Sequence, residues 1–222
     1  MMSFKKNSVF VFLIFICSGF SSIGISGEDW QLKKSENGIS VYTRKPENSD
    51  FKEVKASAYL KTSLSSLIAL LYDFEFYPKW VYKCGKSGTL KVISEKELIH
   101  YQTVLAPWPI ANRDFVVNIK IAQNKMTKVI TIKSHAIGHY IPAFPGYVRI
   151  MNFNASWVLT PLKNGNVEIV YTLLVDPAGN VPAWAVNMAI IDGPFETMAN
   201  IKELVLKEKY QKTKSSFILE PD

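Results

Sequence analysis

The 222-residue chain carries few of the residues that do covalent chemistry: two cysteines and three histidines. Cys17 falls in an apolar N-terminal segment, which leaves Cys84 alone in the body of the protein. A single thiol excludes a disulfide framework, so an apolar core has to hold the fold. Beside Tyr82 and Gly85, that thiol is read as buried and inert. His-Glu-x-x-His, Gly-x-Ser-x-Gly, a phosphate-cradling glycine loop and Cys-x-x-Cys are all missing. His135 and His139 are four apart, but Gly138 interrupts them and no nearby acid completes a metal site. Asp73 and Glu75 flank a helix end, where solvation or capping suits them better than acid–base work. No catalytic residue, metal or cofactor is assigned. Basic residues never reach the density of a nucleic-acid surface. No repeat and no Gly/Ser- or Pro-rich linker divides the chain, so a single domain is expected.

The N-terminus is organised differently. Lys5 and Lys6 precede the apolar run Val9–Ile16, and small residues follow from Ser18 to Gly27. This is the layout of a secretory signal peptide over residues 1–27, with cleavage expected between Ser22 and Gly27. An uncleaved anchor would have to tolerate Ser18, Gly19, Ser21 and Ser22 in lipid. Lipidation at Cys17 is disfavoured by Ile16, which is larger than such sites accept. A periplasmic or secreted location follows as the expectation. The net charge of +7 falls to +5 without Lys5 and Lys6. Such mild basicity suits transient contact with an anionic membrane surface, and equally suits plain solubility.

The body is read as one domain over residues 28–209, followed by a polar tail over 210–222 that is expected to fray. Trp30–Ser35 reads as a short helical lead-in. Gly38–Arg44 and Phe51–Leu60 read as strands. Ser63 opens a helix to about Phe74, with Leu64, Leu67, Ile68 and Leu71 on one face, and Phe76–Tyr82 turns around Pro78. Strands follow at Gly85–Ser94, Leu98–Leu105, Arg113–Ile121, Thr127–Ile137, Tyr147–Thr160 and Val167–Val175. Asn164-Gly165 joins the last two as a hairpin. Asn154-Ala155-Ser156 matches a glycosylation acceptor but lies within a strand. Val181–Lys209 then forms one long helix from Pro182, with Trp184, Met188, Ile191, Phe195, Met198, Ile201 and Val205 at steps of three and four. Gly193 and Pro194 interrupt it and predict a kink or hinge. The fold class is α+β: a curved antiparallel sheet wrapped around a long C-terminal helix.

One segment points to function. In Tyr101–Val117 two strands flank Pro107, Trp108, Pro109 and Ile110, a loop too apolar for an ordinary solvated connection. Arg113 then enters an apolar strand, which is costly unless something anionic or strongly hydrogen-bonding meets it. Asp114 has to point to the other face. Arg113 is either a structural ion pair or an anchor for a ligand's phosphate or carboxylate. A greasy lid over a cavity with a charged anchor describes a lipid pocket better than a catalytic cleft.

Five segments in order resemble the START (steroidogenic-acute-regulatory-related lipid-transfer) domain family: WQLKKSENGISVYTRK, YDFEFYPKW, PWPIANRDFVV, WVLTP with Gly165, and VYTLLVDPAGNVPAWAVN. They span nearly the whole body and are closest in flavour to the phosphatidylcholine transfer subgroup. The resemblance implies a helix-grip fold with a tunnel for one hydrophobic ligand. It implies Ala106–Asn112 as the lid loop, the C-terminal helix as a second gate, and Arg113 as the cavity arginine. Sterol-binding members carry an acidic partner on the preceding strand, and around Tyr101 and Gln102 there is none. The expected function is therefore lipid binding and transfer by a monomer, its ligand a phospholipid, fatty acid or sterol-like molecule. The expected lipid-binding residues are Arg113, Tyr101, Trp108, Ile110, Trp157, Trp184, Met188, Ile191, Phe195 and Met198. Trp108 and Trp184 are also expected to touch the membrane headgroup zone. The alternatives are a cyclase/aromatase-like enzyme using the same cavity, or a lipid sensor.

Overall fold

Strand and turn patterning dominates residues 29–221, which the computed structural model describes except for the side chains of 183, 184, 187 and 188. The leader expected over residues 1–27 lies outside the described residues. The strands are β1 (Gln31–Glu36), β2 (Ile39–Arg44), β3 (Glu53–Leu60), β4 (Cys84–Ser94), β5 (Glu97–Val104), β6 (Asn112–Gln123), β7 (Ile130–Ala136), β8 (Tyr147–Arg149), β9 (Phe153–Pro161) and β10 (Val167–Val175). Nine of them form one curved path in the order β1-β2-β3-β10-β9-β7-β6-β5-β4. Two meanders are thus joined where β10 pairs with β3. The helices are α1 (Leu64–Leu71), α2 (Ala183–Leu204) and α3 (Glu208–Gln211), with a 3-10 turn at Phe74–Lys79. Among the described residues no helix is long and apolar enough to cross a membrane.

The expected α+β layout is present, with five local differences. The Trp30–Ser35 lead-in is not helical: Gln31–Glu36 is strand β1, paired to β2. Asn37 and Gly38 both take positive φ and close the turn between them, so hairpin pairing overrides the weak helical pattern. The single strand expected over Tyr147–Thr160 is two. β8 runs parallel to the start of β6, and the chain re-enters the sheet as β9 against β7. The first helix ends at Leu71, earlier than Phe74, and passes into the 3-10 turn that contains Pro78. The last helix ends at Leu204. Extended Lys207 then redirects the chain into α3.

The fifth difference is the tail, which is docked. Tyr210 and Ile218 are buried. The Glu220 carboxylate accepts hydrogen bonds from the Leu64 and Ser65 amides at 3.0 and 2.7 Å. Together with Ser63, which accepts from Ser66 at 3.1 Å, it satisfies the open first turn of α1. At the other end of α1, Asp73 accepts from the Tyr210 hydroxyl at 2.8 Å and the Lys209 ammonium at 2.7 Å.

β6 is buried on both faces. Arg113, Phe115, Val117 and Ile119 point inward, while Asp114, Val116 and Asn118 are covered on the outside. The cover is residues 137–150, tied to the strand by Ile137 N–H to Val116 O (2.8 Å) and Ile150 N–H to Asp114 O (2.9 Å). Arg149 fastens it. Nε and Nη2 grip the Asp114 carboxylate at 2.8 and 2.9 Å, and the remaining N–H groups reach the carbonyls of Gly138, Ile141 and Pro142. This uses the five donors of a guanidinium. Both side chains of the pair are buried, so removing one charge strands the other. Asp114→Asn is expected to cost about 3–5 kcal/mol, read as a lowered urea midpoint; an unchanged midpoint would show that the pair is dispensable.

Candidate functional site

The concave face of the sheet does not close on α2. Between them lies a chamber of about 500 Å³, within the roughly 300–1,000 Å³ usual for ligand pockets. Strand period two decides which residues line it. β5 contributes His100, Gln102 and Val104; β6 contributes Arg113, Phe115, Val117 and Ile119. Opposite them stand Phe153, Ala155 and Trp157 of β9 and Tyr171, Leu173 and Val175 of β10. Trp157 and Tyr171 stack with centroids 4.2 Å apart. Ala106, Pro107 and Ile110 close one end and the Tyr72–Lys83 region walls another side. Lys52, Lys83 and Arg113 are the charged lining residues; among the described residues no Asp or Glu lines the chamber.

Three of the expected site residues meet here: Ile110, Arg113 and Trp157. Trp108 does not. It sits on the same loop but is 92% exposed. Its peptide bond to Pro109 is cis. Tyr101 lies on the opposite face of β5, a consequence of the same alternation that sends His100 and Gln102 inward. Its ring packs edge-on to Phe144 at 5.3 Å. Burial first, then the Asp114 carboxylate, push its phenol up to about 12.

Part of the apolar stripe of α2 also faces away from the chamber. Ile191, Phe195 and Met198 are not chamber-lining; they pack against the core. Lys34 caps the Phe195 ring at 3.8 Å. The side chains of Trp184 and Met188 lie outside the described residues. The chamber face of α2 is instead Ala185, Val186, Ala189, Ile190, Gly193, Pro194 and Thr197. Small residues there leave the space open, and Ala185, Ala189 and Gly193 at steps of four are the signal that marks it. α2 runs unbroken through Gly193 and Pro194. Gly193 is needed for a close approach: a Cβ there would lie 3.2 Å from the Tyr82 ring.

Arg113 meets neither a carboxylate nor open space. Its Nε donates to Pro177 O and its Nη2 to Ala178 O, both at 3.2 Å, while Nη1 donates to Ala111 O. It therefore ties the lid to the loop that leads into α2. Asp176 supports that loop by accepting from Ala178 N at 2.8 Å, where Ala178 holds a left-handed φ of 56°.

A second group escaped the sequence reading. Tyr72, Phe74, Tyr77, Trp80 and His100 form a ring cluster at the chamber wall, with Phe74–His100 centroids at 4.5 Å and Tyr77–Trp80 at 4.9 Å. The Tyr77 hydroxyl donates to Leu71 O at 2.5 Å. Burial pushes His100 down to about 4, against smaller opposing pulls from Gln102 and the Gly88 backbone. Burial likewise pushes the Cys84 thiol up to about 12, as suits an inert thiol.

The fold and chamber define a helix-grip protein. The sequence model of the START domain matches residues 17–203, and the chain belongs to that family. The start of the match falls within the stretch read as a leader. The chain is 28% identical over 188 residues to an uncharacterized protein of Pseudomonas aeruginosa, covering 83% of this chain and 92% of the relative. It is 26% identical over 188 residues to the phosphatidylcholine transfer protein of Rattus norvegicus, covering 80% and 84%. A solved STAR-related lipid transfer protein from Xanthomonas axonopodis superposes with a TM-score of 0.74 at 29% identity, over 80% of this chain and 99% of that one.

His100 sets a pH dependence. Its folded pKa lies below the ordinary 6.5, so the unfolded chain binds the proton first as pH falls. The stability from keeping it neutral is complete above about pH 6.5 and is lost progressively as pH falls towards 4. The loss amounts to about 3 kcal/mol. Urea midpoints of wild type and His100→Gln measured from pH 7 to 4 should converge on acidification; parallel curves would place the sensitivity elsewhere.

Proposed function

We propose that this chain is a lipid carrier that holds one hydrophobic ligand in the chamber and exchanges it at membranes, acting as a monomer. The observation that carries this reading is the chamber itself: an apolar space of about 500 Å³ kept open by small residues on α2. A core designed only for stability would fill such a space. A lipid tail would do so instead, at roughly 0.8 kcal/mol for each buried CH₂. The names of the rat and Xanthomonas relatives support the same class of ligand. Phospholipid, fatty acid and sterol-like molecules are the candidates.

The parts have distinct tasks in this reading. The loop around Trp108 is the lid, and its exposed indole contacts the headgroup zone. Arg113, Lys52 and Lys83 give the lid end a positive potential that favours a lipid's phosphate or carboxylate. Opening requires Arg113 to release Pro177 and Ala178, which links lid movement to the start of α2. Export places the protein in the periplasm or outside the cell, on the strength of Lys5, Lys6 and the run Val9–Ile16. A cyclase-like enzyme would need a positioned acid or base; the chamber offers a histidine held neutral and, among the described residues, no carboxylate. Carriage is favoured over catalysis because the names of the rat and Xanthomonas relatives point to lipid transfer.

Filling the chamber tests it. Ala155→Trp projects an indole from β9 into the space, at an overpacking cost of about 1–3 kcal/mol. Vesicle-to-vesicle transfer of a fluorescent fatty acid and of a fluorescent phospholipid should fall at least tenfold for any lipid that the wild type carries. Transfer at the wild-type rate by a folded variant would contradict the carrier role.

A further inference from the structure

The family match stops at residue 203. The described residues beyond it run back along α1 from its end to its start, and side chains tie them down on the way. At the end of α1, Asp73 accepts from the Tyr210 hydroxyl and the Lys209 ammonium. Lys209 is exposed and Tyr210 is buried, so the hydroxyl carries more of that grip. Nearer the start, Ser215 N–H donates to Ser65 Oγ at 3.4 Å. Gln123, the last residue of β6, holds the backbone of Leu219 on both of its polar groups. It accepts from the Leu219 amide at 2.8 Å and donates to the Leu219 carbonyl at 2.7 Å, much as a neighbouring strand would. Ile218 is buried and Phe217 packs against the core. Glu220 closes the series on the first-turn amides of α1. Chain ends commonly fray unless tied down, and ordering this one opposes its conformational entropy at every residue.

α1 bears on the chamber through its last turn. Leu71, Tyr72, Phe74, Tyr77 and Trp80 line the space, and they come from the end of α1, the 3-10 turn and its flanks. That turn contains Pro78, and 3-10 hydrogen bonds are poorer in geometry than α-helical ones. The wall therefore takes its position from what holds its two ends. At the far end α2 holds it: Asn200 Nδ2 donates to Trp80 O at 2.7 Å, and Thr197 Oγ1 accepts from Tyr82 N–H at 3.2 Å. At the near end the tail holds it, because Asp73 stands in the chain between the lining residues Tyr72 and Phe74. Glu220 adds to this from the start of α1 by fixing the helix that leads into the wall.

We propose that the C-terminal tail is a strap that closes the α1 side of the chamber and sets how long a lipid is held. This goes beyond the carrier reading and rests on it. A ligand packs on Leu71, Tyr72 and Phe74 from within, while the tail grips the same segment from without. Each steadies what the other binds, so tail docking and lipid binding are coupled with the same sign. The coupling is reciprocal: a docked tail slows lipid release, and a bound lipid tightens the tail. With the strap released the wall is held by α2 alone and the lipid leaves faster. The strap acts on a side wall, through contacts separate from the lid and from Arg113.

Release of cis-parinaric acid and of parinaroyl phosphatidylcholine into acceptor vesicles tests the strap, in the full chain and three single variants. Glu220→Gln replaces one accepting oxygen by an NH₂ group that cannot accept from an amide. Tyr210→Phe removes the hydroxyl that holds Asp73. Gly165→Ala is the control: it strains a turn residue at a φ of 75° that does not line the chamber. Release of whichever probe the wild type carries should quicken about fivefold or more in Glu220→Gln and in the same direction in Tyr210→Phe. It should stay at the wild-type rate in Gly165→Ala, although that variant also melts earlier. In the wild type, hydrogen exchange of the amides over residues 213–221 should slow when the probe is loaded. Wild-type release rates in both tail variants, an equal quickening in Gly165→Ala, or tail exchange indifferent to loading would overturn the strap and leave the tail a general stabiliser. A wild type that takes up neither probe would overturn the carrier reading, and the strap with it.

Discussion

The adjacent pair Arg113-Asp114 at the start of β6 is the point on which the arrangement turns. Strand geometry sends the two side chains to opposite faces. Inside, Arg113 binds the carbonyls that precede α2 and the one that ends the lid. Outside, Asp114 holds Arg149, and Arg149 holds the covering segment by three carbonyls. One dipeptide thereby fixes the mouth of the chamber and seals the sheet behind it. Each charge is buried, and each is tolerated because its hydrogen-bonding capacity is met by fixed backbone or a bidentate partner.

α2 faces two ways. Ile191, Phe195, Met198 and Ile201 pack against the core, while Ala185, Ala189 and Gly193, with Val186 and Ile190, face the chamber. The same helix therefore stabilises the fold on one side and forgoes packing on the other, and forgone packing is what a hydrophobic ligand can restore. The opposite wall depends on α1 and its 3-10 extension. α1 is clasped at both ends by the C-terminal tail, through Glu220 at its start and Asp73 at its end. The tail is thus part of the chamber's support although none of its described residues lines the space.

Much of the fold was legible because strand alternation and turn chemistry are local. Val167–Val175 and the Asn164-Gly165 turn are where the pattern puts them, and Ser63 caps α1. The architecture was further supported by five ordered segments resembling START domains. Non-local decisions were not legible. β1 is a strand because β2 pairs with it, and the tail docks because Glu220 finds the amides of α1 more than 150 residues earlier. In the site, Arg113 and Ile110 are readable from the lid-and-strand pattern, and Trp157 from the segment that resembles START domains. Tyr101 was assigned to the ligand by proximity, against the parity that its own strand imposes. Ile191, Phe195 and Met198 of the α2 stripe face the core, because size signals burial without saying against what. Tyr72, Trp80 and His100 come from a helix end, a 3-10 turn and a strand, and only the folded chain brings them together.

The central claim is that the chamber exists to hold a lipid. The most direct measurement is native mass spectrometry of the full chain, expressed with its N-terminal segment and purified without detergent, followed by solvent extraction and lipid identification. The account predicts one lipid per chain, released on unfolding. A folded protein that remains lipid-free after incubation with membrane extract would contradict it.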